Sequence, residues 1–119
     1  MEKKNQQRKW VREEVVILVT EYFKNKNSPN DAIEKSYHDM SEFLKKREEL
    51  VTGKPVPDIF RNYAGIRMQT GRIRCLDPKT ELEGMHGTKL QKEVVKEFLN
   101  NPEALYNEAE GIYKKYLHG

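Results

Sequence analysis

The most chemically distinctive side chains of this 119-residue sequence fall in one stretch, FRNYAGIRMQTGRIRCLDP, residues 60–78. Arg61, Arg67, Arg72 and Arg74 all lie within it. A guanidinium is a rigid fork of donors that matches phosphate oxygens and guanine edges. On a helix drawn from Tyr63, Arg67 and Arg74 are seven residues apart and share a side, flanked by Tyr63 and Thr70. Arg61 and Arg72 project to another side, and Gln69 lies nearer the apolar stripe. Ile66 and Ile73 leave one side free of charge, as a helix needs if it packs on two others while presenting bases outward. Against duplex DNA, Arg67 and Arg74 would reach phosphates or guanine edges, and Gln69 or Thr70 would read bases or backbone. The candidate nucleic-acid-binding residues are therefore Arg61, Arg67, Gln69, Thr70, Arg72 and Arg74, with Lys89 beyond them. Composition leaves a second reading open, in which these arginines pair with acids from residues 13–53 on a core helix.

Other chemistry is poorly represented. His38, His86 and His118 are far apart and show no metal-ligand spacing. Cys75, the single cysteine, excludes an intramolecular disulfide, and a buried structural thiol is its commoner role. Glu13 and Glu14, like Glu48 and Glu49, are adjacent and point to different sides of a helix. No Gly-rich phosphate loop or nucleophile elbow is present. The expectation is a non-enzymatic protein without cofactor or metal.

Net charge is +3, but its distribution is more informative. Residues 1–12 hold five bases and one acid, and residues 54–79 hold six bases and two acids, so each block is +4. The segments between and after them are mildly acidic. The longest apolar run, residues 15–19, is five residues, far below the ~18 of a membrane span. No apolar signal segment follows the basic start, because Glu13 and Glu14 intervene. A soluble cytoplasmic protein is expected, with residues 1–8 a basic flexible tail and residues 9–117 one helical domain.

The elements that must position the arginines read as about five helices. The spacing predicts a first amphipathic helix over residues 9–24, carrying Trp10, Val15, Leu18, Val19 and Tyr22. Residues 33–50 predict one bent helix or two short ones, with Asn30 or Asp31 as a cap and Ser36 and Ser41 as alternatives. Asn62 is the expected cap of the arginine helix, and Asp77 and Pro78 its end. Gly65 within it suggests close approach to another helix or a ligand. Thr88 and Gln91 form a capping box opening a fourth helix, and Pro102 opens a fifth. A short hairpin is conceivable at residues 53–59 or 75–83. The result is a mainly α, helix-turn-helix-like domain with a basic third helix. Tyr106, Tyr113 and Tyr116 give the last helix apolar surface that could support a homodimer.

Four blocks also occur in order: WVREEVVILVTEYF from Trp10, SEFLKK from Ser41, RNYAGIRMQTGRIRCLDP from Arg61 and GMHGTK from Gly84. In these the chain resembles the N-terminal domain that precedes the nuclease module in many bacterial HNH-type restriction endonucleases, including relatives that cut modified DNA. Arg61, Asn62, Gly65, Asp77, Gly84, Gly87 and Lys89 match that pattern. The resemblance implies a domain that contacts DNA while a separate module cuts. No HNH module follows before Gly119, so nuclease activity is not implied. The segments Gln69–Thr70–Gly71 and Arg72–Ile73–Arg74 depart from the pattern, so what is recognised could differ. Asp77 could serve a turn or pair with Arg61.

The leading expectation is a stand-alone nucleic-acid-binding module, with duplex DNA as partner, acting in bacterial or phage defence, counter-defence or regulation. The alternative is a phage or mobile-element inhibitor or adaptor that binds a host nuclease or other defence protein. A net charge of +3 argues against a DNA mimic, which would be strongly acidic.

Overall fold

The computed structural model describes residues 8–80 and 86–117. It contains five helices: α1 (Arg12–Asn25), α2 (Asn30–Thr52), α3 (Tyr63–Leu76), α4 (Lys89–Asn100) and α5 (Pro102–Leu117). No strand occurs among the described residues, and residues 53–59 form a loop rather than a hairpin. Residues 81–83 of the other hairpin expectation lie outside the described residues. No helix is long and apolar enough to cross a membrane among the described residues.

α1 is the axis of the fold and packs against all four other helices. The spacing predicts an amphipathic helix here, with one side buried. Instead every residue from 14 to 20 is buried. Five consecutive aliphatic residues cannot share one face at 3.6 residues per turn, so they are all covered only if neighbours surround the helix. Burying each such side chain contributes roughly 1.5–3 kcal/mol. Met40, Phe43 and Leu44 of α2, Ile66 and Ile73 of α3, Val94, Val95 and Phe98 of α4, and Leu105 and Ile112 of α5 complete the core.

The caps largely follow the sequence. Asn62 accepts from the Gly65 N–H at 2.9 Å, and Asp77 ends α3. Thr88 and Gln91 exchange side-chain and backbone bonds at 3.1 and 3.0 Å. α1 starts later than residue 9, because the chain through Val11 is extended. There the Glu14 carboxylate accepts the Val11 N–H at 3.1 Å. α2 is one continuous helix, starting at Asn30 with Pro29 in the cap position. Ser36 and Ser41 cap nothing: the first donates to the Ile33 carbonyl and the second to the Arg61 carbonyl. Gly65 serves its own cap, since an added Cβ would lie 3.2 Å from Asn62 Oδ1. Gly87 is where backbone approaches side chain, because a Cβ there would sit 2.5 Å from Leu76 Cδ1.

Charged side chains tie the ends of α1 to its neighbours. Arg61 is 1% exposed and grips Glu14, itself 0% exposed, through Nε and Nη2 at 2.8 and 3.1 Å. Its guanidinium lies over Trp10 at 4.1 Å and over Phe60 at 4.4 Å. Arg8 adds bonds to Glu14 and Glu48, so the described end of the expected flexible tail is docked. Glu13 receives Tyr116 Oη at 2.6 Å, Arg47 Nε at 2.9 Å and Lys115 Nζ at 3.1 Å. Arg12 bridges Glu97 and Glu108. Tyr116 is thus buried and Tyr113 half-buried, donating to Glu21. The aromatic surface expected to support a dimer is largely used inside the fold, leaving Tyr106 exposed.

Removing one member of a buried pair strands the other. Glu14→Gln and Arg61→Met should each cost about 3–5 kcal/mol in urea unfolding, while Glu14→Leu combined with Arg61→Met should recover much of the loss. Burial pushes the Glu14 carboxyl up, but bonds from Arg61 and Arg8 outweigh it and hold the folded group below its ordinary value. Its contribution is therefore fully present above the unfolded value of roughly 4.3 and is lost as pH falls through the folded one. Unfolding free energy measured from neutral to acid pH should fall less steeply in Glu14→Gln than in the wild type.

Candidate functional site

α3 is pinned to α1 at both ends. At its start, Arg61 binds Glu14 while its carbonyl accepts from Ser41 of α2 at 2.7 Å. Arg61 occupies a left-handed backbone position, φ +44°, which costs a non-glycine residue roughly 1–3 kcal/mol. At its end, the Asp77 carboxylate accepts from Tyr22 Oη at 2.8 Å and from Lys26 Nζ. Asp77 therefore pairs with Lys26 and not with Arg61. Burial raises the Asp77 carboxyl, but the bonds from Lys26, the Lys79 N–H and Tyr22 outweigh it and keep the group below its usual range. Since early α1 meets early α3 and late α1 meets late α3, the two helices run in the same direction.

Between these pins, α3 and the first half of α2 wall a cleft of about 1080 Å³. The end of α1, the loop at residues 26–28, and Lys79 and Thr80 complete the lining, with Lys26 and the Lys79 N–H meeting at Asp77. Arg67, Thr70 and Arg74 come from α3, and Ile33, Glu34, Tyr37 and Met40 from α2. The lining carries the bases Lys26, Arg67, Arg74 and Lys79 against the acids Glu21 and Glu34. Tyr63 donates to Glu34 and stacks on His38, with ring centroids 4.5 Å apart and planes 14° apart. Tyr37 stands 6.1 Å from Tyr63, tilted by 58°. Burial and Asp77 push Tyr22 up; burial and Glu34 push Tyr37 up, against Arg67 and Arg74; the bond to Glu34 pushes Tyr63 up. All three remain neutral phenols at pH 7, with rings free of charge and hydroxyls able to donate.

The seven sequence candidates divide sharply. Arg67 and Arg74 are exposed on the cleft, and their guanidinium groups make no hydrogen bond or ion pair to any described residue. Thr70 shares the lining but is 3% exposed, and its hydroxyl donates to the Ile66 carbonyl, so it reads neither bases nor backbone in this form. Arg61 is internal and structural, because the carboxylate that neutralises it lies on the central helix. Gln69 accepts from Gln91 Nε2 at 2.8 Å and joins α3 to α4. Arg72 donates to the His86 carbonyl at 3.0 Å. Lys89 is exposed at the start of α4, outside the cleft lining. Lys26, Lys79, Tyr22 and Tyr37 were not singled out as site residues. Lys26, Tyr22 and Tyr37 are brought to Arg67 and Arg74 by tertiary packing and Lys79 follows α3 in the chain, whereas helical spacing alone set Tyr63 beside the arginines. Of the residues behind the family resemblance, Arg61, Asn62, Gly65, Asp77 and Gly87 have structural roles, and Gly84 lies outside the described residues. Among the described residues, no three His, Cys, Asp or Glu side chains converge as a metal site would require.

Arg67 and Arg74 hold nothing together in the fold. Arg67→Gln and Arg74→Gln, singly or together, should shift unfolding free energy by no more than about 0.5 kcal/mol each, measured by urea titration. A loss of several kcal/mol would show that they are structural after all.

No protein-family model, curated protein or solved structure matches this chain.

Proposed function

We propose that the chain is a nucleic-acid-binding module whose contact surface is the cleft between α2 and α3. The observation that carries this reading is the state of Arg67 and Arg74. Arg8, Arg12, Arg47 and Arg61 each sit against a carboxylate. Arg67 and Arg74 share one side of α3 without one, so their guanidinium donors are unused. Such an arrangement is relieved by an anion that accepts forked hydrogen bonds, and a phosphodiester is one. A basic groove flanked by aromatic rings is the composition that nucleic-acid-binding surfaces require. The four sequence blocks that resemble the DNA-contacting domain of HNH-type endonucleases support the same reading and extend it to restriction, phage defence or counter-defence.

Fluorescence anisotropy with labelled DNA and RNA over a salt series tests this. Affinity should fall linearly on a log–log plot, and Arg67→Gln with Arg74→Gln should weaken binding and flatten the slope by about 0.7–0.9 per arginine removed. Absence of binding to any nucleic acid at low salt would overturn it.

A further inference from the structure

The geometry points to an unpaired nucleotide in a single-stranded segment as the occupant of the cleft, an inference that rests on the nucleic-acid reading above. The sequence alone suggested duplex DNA, read by a projecting third helix. A helix that reads a duplex must enter a groove about 12 Å wide, with its reading side facing out. α3 does not project: it packs against α1, α2 and α4. Its Ile66 and Ile73 face the core, and its Gln69 and Arg72 bond to Gln91 and His86. Its remaining arginine-bearing side opens into a recess whose opposite wall is α2. A duplex is too wide to enter a recess between neighbouring helices of one small domain, whereas a single strand can lay its phosphates on Arg67 and Arg74 and turn one base inward.

The recess is built for a base more than for a second phosphate. Glu21 and Glu34 lie in its lining and repel phosphate there. Tyr37 and Tyr63 supply neutral aromatic rings, and sequence-tolerant stacking on such rings is how single strands are held. Tyr63 is already fixed by its bond to Glu34 and its stack on His38, so little ordering remains to be done when a base arrives. The Tyr37 hydroxyl has no hydrogen-bond partner among the described residues and is available to one.

The test compares a short labelled single strand of mixed sequence, its blunt matched duplex and the same duplex with a single-nucleotide bulge. The single strand and the bulged duplex should bind roughly tenfold or more tightly than the matched duplex. Tyr37→Leu should erase that preference while Tyr37→Phe keeps it. Equal or tighter binding of the matched duplex, or an unchanged preference in folded Tyr37→Leu, overturns the inference. If Tyr37→Leu fails to fold, the wild-type strand-to-duplex ratio decides. Should all forms bind equally and still be lost in Arg67→Gln with Arg74→Gln, the unpaired-nucleotide inference falls and the nucleic-acid reading stands. Absence of any binding removes both.

Discussion

The constraint on which the rest of the structure depends is the burial of Arg61 against Glu14. Neither charge could leave water alone, since an isolated buried ion is costly. Together they form a forked pair, with the guanidinium lying over the Trp10 and Phe60 rings. Excellent geometry is what lets such a pair persist inside a protein. It also holds Arg61 at a left-handed backbone angle, which sets the direction in which the chain enters α3. Ser41 binds the same residue's carbonyl, so one position fixes α1, α2 and α3 together.

The cleft lies along the helix so fixed. α3 is held at its start by Arg61 on Glu14 and at its end by Asp77 on Tyr22, and both of these partners belong to α1. Between these fixed ends, α3 and the first half of α2 wall the cleft. The arginines divide accordingly. Those that build the fold are neutralised by carboxylates at 2.7–2.9 Å, and the two that line the cleft are left with unused donors. Arginines that stabilise the fold and arginines that face the cleft are distinct sets.

Much of the fold was legible because it rests on local rules. The caps at Asn62 and Thr88, the stop at Asp77 and the start at Pro102 are short-range chemistry, and all appear where spacing put them. The buried course of α1 was written in five aliphatic residues in a row, a pattern that fits an enclosed helix better than an amphipathic one. The site was legible only in part. Helical spacing paired Arg67 with Arg74 and added Tyr63. It could not show that Arg61 faces inward, because that depends on Glu14, 47 residues earlier. Nor could it bring Lys26 and Tyr37 to the arginines, since α2 meets α3 only through tertiary packing. The dense basic charge of residues 54–79 therefore mixed a structural cation with cations that face the cleft.

The most direct measurement of the central claim is a nuclear magnetic resonance titration of the isotopically labelled chain with an unlabelled single strand. The account predicts that the largest shifts fall on Tyr37, Tyr63, Arg67, Arg74 and Lys79, with the α4–α5 side unmoved. Shifts confined to α4 and α5, or none at saturating strand, would contradict it.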